Sequence, residues 1–199
     1  MHLNKQKPKI FETIVTTVDL DGHAHLAPFG VREQDDLILI SPFRPSASLD
    51  NFLLTKTAVI NLTDDVRVFA GALTGRRDWS LSKAIKVNGV FLDSALCHRE
   101  LSLVDLKDNE IRPEFLFKVV HEEIHSAFKG FNRAQAAVIE LSVLVSRLNI
   151  LPIEKIETEM DYLKIAIEKT AGEREYEAWT WLVEKIQNHK AEISGENQA

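Results

Sequence analysis

Residues 10–31 read IFETIVTTV, DLDG, HAHLAPFGV, and this stretch decides the class of the fold. Ile10 to Val18 is rich in Val, Ile and Thr, the side chains that suit a pleated, half-buried surface. Asp21-Gly22 is a strong two-residue turn signal, so His23 to Val31 is expected to return antiparallel beside the first strand. Working outward, DLILIS (36–41) reads as a third strand and TAVINL (57–62) as a buried fourth. LDSALCHRELSLVDL (92–106) and EFLFKVVHEEIHSA (114–127) make two more, joined by the polar turn Lys107-Asp108-Asn109-Glu110. Six strands with short links predict a small antiparallel barrel or sandwich.

The chain changes character near residue 130. In RAQAAVIELSVLVSRL (133–148), Ala134, Ala137, Val138, Leu141, Leu144, Val145 and Leu148 recur at helical spacing. Asn132 stands as N-cap, with Gln135 three residues on in a capping-box arrangement. A second helix follows Pro152, with Ile153, Ile156, Met160, Leu163 and Ile167 on one face and Gly172 placed to end it. A third carries Tyr176, Trp179, Leu182, Val183 and Ile186. The expected class is therefore α+β. A β-domain spans residues 1–129, a region of about three helices packed on it spans 130–190, and 191–199 form a flexible tail.

Composition narrows the function. Of 199 residues, 24 are basic and 30 acidic, for a formal net charge of −6, which argues against nucleic acid as the main partner. The single cysteine, Cys97, precludes an intramolecular disulfide and a cysteine-based metal cluster. No signal-peptide pattern opens the chain and no apolar run is long enough to span a membrane, so a cytoplasmic protein is expected. A glycine-rich dinucleotide fingerprint, a P-loop and a nucleophile elbow are all missing.

What remains is a polar cluster after the third strand, SPFRPSASLDNFL (41–53). It offers the guanidinium of Arg44, the hydroxyls of Ser46 and Ser48 and the amide of Asn51. Ser48 is placed to cap a short helix through Leu49 to Thr55. Free N–H groups at a helix start, two hydroxyls and an arginine suit a phosphate. An ordinary helix cap after a proline turn reads equally from the same residues.

ETIVTTV (12–18), LAPFGV (26–31), SPFRPSASLDN (41–51) and VINLTDD (59–65), with GFNRAQAAVIE (130–140) and EKTAG (168–172), together resemble the DUF447 family. That family lies within the flavin-reductase-like, FMN-binding split-barrel group. The resemblance implies an N-terminal antiparallel split β-barrel of FMN-binding type followed by a helical extension. It implies that Ala27, Pro28, Phe29 and Gly30 pass beside the flavin ring, and that Arg44, Ser46, Ser48 and Asn51 hold the phosphate. Asn61 and Asp64 are further candidates for the cofactor pocket. A homodimer with flavin at the interface is implied, as is a small-molecule redox substrate. The activity implied is a flavin-dependent oxidoreductase, linked through the family to tetrahydromethanopterin one-carbon chemistry. Its rival is a non-catalytic flavin-binding or assembly protein of that pathway.

His121-Glu122-Glu123-Ile124-His125 matches the H-E-x-x-H pattern of zinc peptidases, whose chemistry needs a helix. On the strand expected here, His121, Glu123 and His125 share one face and Glu122 points away, so no metal ligand is assigned. His23 and His25 alternate likewise and read as a solvent-facing or interfacial pair. Cys97 reads as a small buried hydrophobe. Arg76, Arg77 and Trp79 read as a solvated loop, and Asp35-Asp36 and Asp64-Asp65 as turns.

Overall fold

The opening strand pair forms in a computed structural model that describes residues 9–196. Strands β1 (Ile10–Val18) and β2 (Ala24–Gln34) run antiparallel, from Ile10 opposite Arg32 to Val18 opposite Ala24. Asp19 closes the turn between them: its Oδ1 accepts the backbone N–H groups of Asp21 (2.9 Å) and His23 (2.8 Å). Gly22 takes φ +86°, the left-handed region where a side chain is strained.

The described residues fall into two compact units. The first, residues up to Thr63 plus Ser80–Ala127, is the β-domain. After β2 come β3 (Leu37–Ile40), α1 (Ala47–Thr55) and β4 (Thr57–Leu62). The excursion 64–79 intervenes, and its helix α2 (Arg67–Thr74) belongs to the second unit. Then follow β5 (Leu81–Lys83), β6 (Val90–Leu92), β7 (Cys97–Lys107) and β8 (Glu114–Ile124). Six strands close into an antiparallel barrel in the order β1-β2-β3-β8-β7-β4, with β4 pairing back to β1.

Val15, Val31, Ile38, Ile40, Ala58, Ile60, Leu101, Phe115 and Phe117 form one buried cluster with Leu49 and Phe52 of α1. Phe52 is fully buried, its ring 5.2 Å from both Phe115 and Phe117. Truncating such a ring to alanine costs about 3–5 kcal/mol, so α1 is anchored to the barrel core through it.

The sequence did not reveal the hairpin β5–β6, whose strands are only three residues each. It lies over the outer face of β1, β4 and β7 and is fastened there by polar groups. Thr16 Oγ1 donates to the Val90 carbonyl. Asn61 Oδ1 accepts the Leu92 N–H at 2.7 Å, and Thr57 Oγ1 donates to the Asn88 carbonyl at 2.9 Å. This cover explains why Thr13 through Val18 are all buried instead of alternating. Between β7 and β8 the register slips: Leu101 faces Val119, but Glu100 faces His121, leaving Val120 as an extra residue. A bulge of this kind flips every side chain beyond it to the other face.

The second unit comprises 64–79 and residues from Phe128 onward. Helices α3 (Arg133–Val145), α4 (Ile153–Thr170) and α5 (Glu173–Glu196) join α2 around a core that includes Val66, Ala70, Val138, Leu141, Ile156, Ile167, Trp179, Leu182 and Ile186. Asn132 caps α3, accepting from Ala134 N–H (2.7 Å) and Gln135 N–H (3.3 Å). Gln135 does not complete a capping box; its amide donates to Glu175 Oε1 at 3.1 Å. The fold is thus α+β with five helices among the described residues: the three read after residue 130, the short helix read at 49–55, and α2, which was not expected. Two expectations on domain limits are corrected. Residues 64–79 leave the β-domain, and α5 continues through 191–196, which were read as tail; 197–199 lie outside the described residues, as do 1–8. No helix among the described residues is long and apolar enough to cross a membrane.

Candidate functional site

The loop Ser41–Ser46 leads from β3 into α1 and is braced by the β7–β8 turn. Arg44 N–H donates to the Ile111 carbonyl (3.0 Å), and Arg112 Nε donates to the Ser41 carbonyl (2.9 Å). The Arg112 guanidinium also lies 4.7 Å from the centre of the Phe43 ring. Sequence reading passed over Arg112, since it sits in a turn some 70 residues from the segment it supports.

The helix begins two residues earlier than expected. Ser46, not Ser48, is the N-cap of α1, its Oγ accepting the Leu49 N–H at 3.3 Å. Ser48 therefore lies in the first turn, 1% exposed, and its Oγ has no hydrogen-bond partner. A buried hydroxyl without a partner costs about 1–3 kcal/mol, so the Ser48 hydroxyl is available to a bound polar group. Ser41 Oγ, at the other end of the loop, is likewise buried without a partner. Asn51, one turn further along α1, is buried and donates through Nδ2 to Thr17 Oγ1 at 2.9 Å.

Arg44 reaches across to the β7–β8 turn. Its Nη2 contacts Asp108 Oδ1 at 2.5 Å and its Nε donates to the Asn109 carbonyl at 3.1 Å. These groups and Glu110 line a shallow open depression of about 420 Å³. The guanidinium thus has an acidic partner in place, and an incoming phosphate would compete with it.

Ala27, Pro28, Phe29 and Gly30 lie half-buried in the middle of β2. Along this stretch β2 is paired only to β1, because its ladder with β3 is confined to residues 32–34. The backbone of 27–30 therefore has one edge without a strand partner, which is where a proline such as Pro28 is tolerated. Phe29 packs on the barrel core, 6.2 Å from the Phe52 ring. Gly30 has a local reason to lack a side chain: a Cβ there would meet Ile10 Cγ2 at 2.7 Å.

Two further candidates are engaged elsewhere. Asn61 is completely buried; its Nδ2 donates to the Ile14 carbonyl (3.1 Å) while its Oδ1 accepts from Leu92, so its amide ties β1, β4 and β6 together. Asp64 falls in the helical unit, its carbonyl accepting the Val66 N–H. Next to it, Asp65 is buried and grips Arg67 through Nε (2.9 Å) and Nη2 (2.6 Å).

A second polar cluster occupies the outer face of β7 and β8. The H-E-x-x-H run lies on β8 and just beyond it, and Glu122 pairs with Arg99 while His121, Glu123 and His125 gather with His98 and Glu100. Glu100 is fully buried and accepts backbone N–H groups from Ile85 (2.7 Å), Lys86 (2.6 Å) and Val87 (2.9 Å). Burial pushes its carboxyl up, but these bonds and His98 together pull harder and hold it below the usual range. Burial likewise holds the His98 imidazole below its ordinary pKa, with Glu100 opposing, so the ring is neutral near pH 7. Cys97 is partly buried, and burial with nearby Glu122 raises its thiol pKa, keeping it protonated.

The family model for the N-terminal domain of DUF447, a protein of unknown function, matches residues 11–126, and the companion DUF447 model matches 132–184. The chain belongs to the DUF447 family. Among solved structures, an FMN-bound DUF447 protein from Methanosarcina mazei is similar at 18% identity and a TM-score of 0.77, covering 90% of this chain and 96% of its own. The 2-nitrobenzoate 2-nitroreductase of Pseudomonas fluorescens is similar at 17% identity and a TM-score of 0.51, over 61% of this chain and 67% of its own. An NADH:FAD oxidoreductase from Streptomyces globisporus follows at 12% identity and 0.50, over 58% and 71%. No curated protein matches the chain. At these identities the likeness is one of fold, over most of this DUF447 protein with the first and over about three fifths of it with the other two.

Proposed function

We propose that this DUF447 protein binds FMN, with the phosphate at the start of α1 and the ring along the unpaired edge of β2. The observation that carries the reading is the Ser48 hydroxyl, buried and without a partner in the first turn of a helix capped by Ser46. Hydroxyls and free N–H groups at a helix start suit a dianion. The backbone of Ala27–Gly30 offers N–H and C=O groups to a planar, polar-edged ring, and Phe29 gives that edge an apolar floor. The FMN-bound relative supports FMN as the ligand.

The activity that follows is a flavin-dependent oxidoreductase of the flavin-reductase kind acting on a small redox molecule, a pterin carrier being the substrate class the family resemblance favours. FMN supplies the electron and hydride transfer when bound. The chain's own part is to grip the phosphate, orient the ring along β2 and keep its inner side dry against the Phe29–Phe52 aromatic cluster. A homodimer closing over the ring belongs to the same proposal. The test is the purified full-length protein: FMN should bind and produce the visible bands of oxidised flavin. Riboflavin, lacking the phosphate, should bind at least tenfold more weakly. Steady NADH or NADPH oxidation marks an enzyme, and bound flavin without turnover marks a carrier or assembly protein. Equal affinity for FMN and riboflavin would remove the phosphate site.

A further inference from the structure

The bulge at Val120 places five polar side chains on one outer face: His98 and Glu100 from β7, His121 and Glu123 from β8, and His125 just after it. His98 lies at the centre and is completely buried. Its Nε2 is 3.4 Å from Glu100 Oε1, and its Nδ1 is 2.7 Å from His125 Nε2. Glu100, held as a carboxylate by three backbone N–H groups, can only accept a hydrogen bond. That assigns the His98 proton to Nε2 and leaves Nδ1 with a free lone pair directed at His125. Phe91 holds both rings nearly coplanar, stacking 4.1 Å from His98 and 5.1 Å from His125. A carboxylate-oriented imidazole beside a second imidazole is the arrangement that second-sphere carboxylates give metal-binding histidines.

We propose that His98 Nδ1, His125 Nε2 and a Glu123 carboxylate oxygen form a binding site for a divalent transition-metal ion of the zinc class. The two nitrogens are 2.7 Å apart, and one ligand atom from each of the three residues lies within 4.8 Å of the others. Glu100 orients His98 from behind without being a ligand. Zinc–nitrogen bonds of about 2.0–2.1 Å in tetrahedral geometry separate two ligand nitrogens by roughly 3.3 Å. The imidazoles must therefore part by about half an ångström, replacing the proton they share with the ion. His125 and Glu123 are exposed, so one side of the site faces solvent for ion entry and for a fourth, exchangeable ligand. Two imidazoles and one carboxylate favour zinc over magnesium or calcium. His121 adds to the polar character of the pocket: its Nε2 is buried without a hydrogen-bond partner and lies 3.7 Å from Glu123 Oε2, but it clusters with His98 and Glu100 instead of with His125. The site differs from a peptidase centre, because Glu122 faces the opposite way and is paired with Arg99. It shares no residue with the α1 phosphate site and does not rest on the flavin reading.

The test is zinc titration of the tag-free, metal-stripped full-length protein, by competition with a chromophoric chelator and by thermal melting. One equivalent should bind at micromolar affinity or tighter and raise the melting temperature. Cobalt substituted for zinc should give the visible bands of a four-coordinate N/O site. His125→Gln and Glu123→Gln, both exposed and so tolerated by the fold, should each weaken binding at least tenfold. His121→Gln should leave it within about threefold. Binding that is absent, or that survives both exposed variants, overturns the proposal. Loss in His121→Gln with retention in His125→Gln overturns it too, because the ion would then use the buried side of His98.

Discussion

Replacing Ser48 by alanine separates a structural role from a binding one by the sign of two effects. In the protein without flavin, Ser48 Oγ is buried and has no partner, so the hydroxyl contributes desolvation without a compensating bond. Removing it should leave stability unchanged or raise it by about 1 kcal/mol, within the roughly 1–3 kcal/mol attached to an unsatisfied buried polar group. Helix capping is not lost, because Ser46 performs it. On the proposed reading the same hydroxyl donates to the FMN phosphate, a bond worth about 1.5–3 kcal/mol, so FMN affinity should fall by roughly 10- to 150-fold. Riboflavin affinity should stay within about twofold. Urea denaturation and fluorescence titration with the two flavins measure all three quantities on one preparation. A variant that is less stable and loses FMN and riboflavin alike would show that Ser48 serves packing, and the phosphate would have to lie elsewhere.

Asp108→Asn frees Arg44 from its exposed ion pair, so stability should move by less than about 1 kcal/mol while FMN binding tightens severalfold; unchanged FMN affinity in both Asp108→Asn and Arg44→Ala would make Arg44 a loop brace only. Glu100→Gln removes the charge that three backbone N–H groups converge on, and should cost about 2–4 kcal/mol, read by denaturation and by faster hydrogen exchange at Ile85, Lys86 and Val87. Because the folded state depresses the Glu100 pKa, its stabilisation is complete above the unfolded value of about 4.3 and is lost as pH falls below it. The variant should therefore show a shallower loss of stability in acid than the parent, and parallel pH profiles would contradict this. Gly71→Ala would bring a Cβ to 2.7 Å from Trp79 Cζ2 and 3.2 Å from the Arg76 carbonyl; a drop of about 1–3 kcal/mol from overpacking is expected on thermal melting.

The barrel was readable because its strands carry dense β-branched runs broken by clear turns. The three long helices were readable because their apolar stripes extend over several turns. What escaped shares a different character. Residues 67–74, RVFAGALT, contain a glycine disfavoured in helices, yet Gly71 is required there by the close approach of Trp79. Strands β5 and β6 are too short for any periodicity, and polar pins from the barrel make them regular. The cap moved from Ser48 to Ser46 because both are serines, and only the backbone turn before α1 decides between them. His98 drew no notice beside Cys97, since its relation to His125 is created by a bulge that no residue type announces. Asn61 had the chemistry of a ligand group, but its amide holds three strands together.

The excursion of residues 64–79 carries a consequence for synthesis. Val66, Val68, Phe69 and Ala70 leave the ribosome early, while the α3 and α5 residues with which Val66 and Ala70 share a core are encoded some 70 to 110 positions later. At about 5–20 residues per second, that delay is on the order of 5–20 s. For that interval the nascent chain holds a greasy, unmated segment between β4 and β5, even if the rest of the barrel has closed. The helical unit has no contiguous gene segment that encodes it whole. Cutting the coding sequence at residue 128 would yield two incomplete products, and expression of either half should depend on chaperone capture or on supplying the other half in trans.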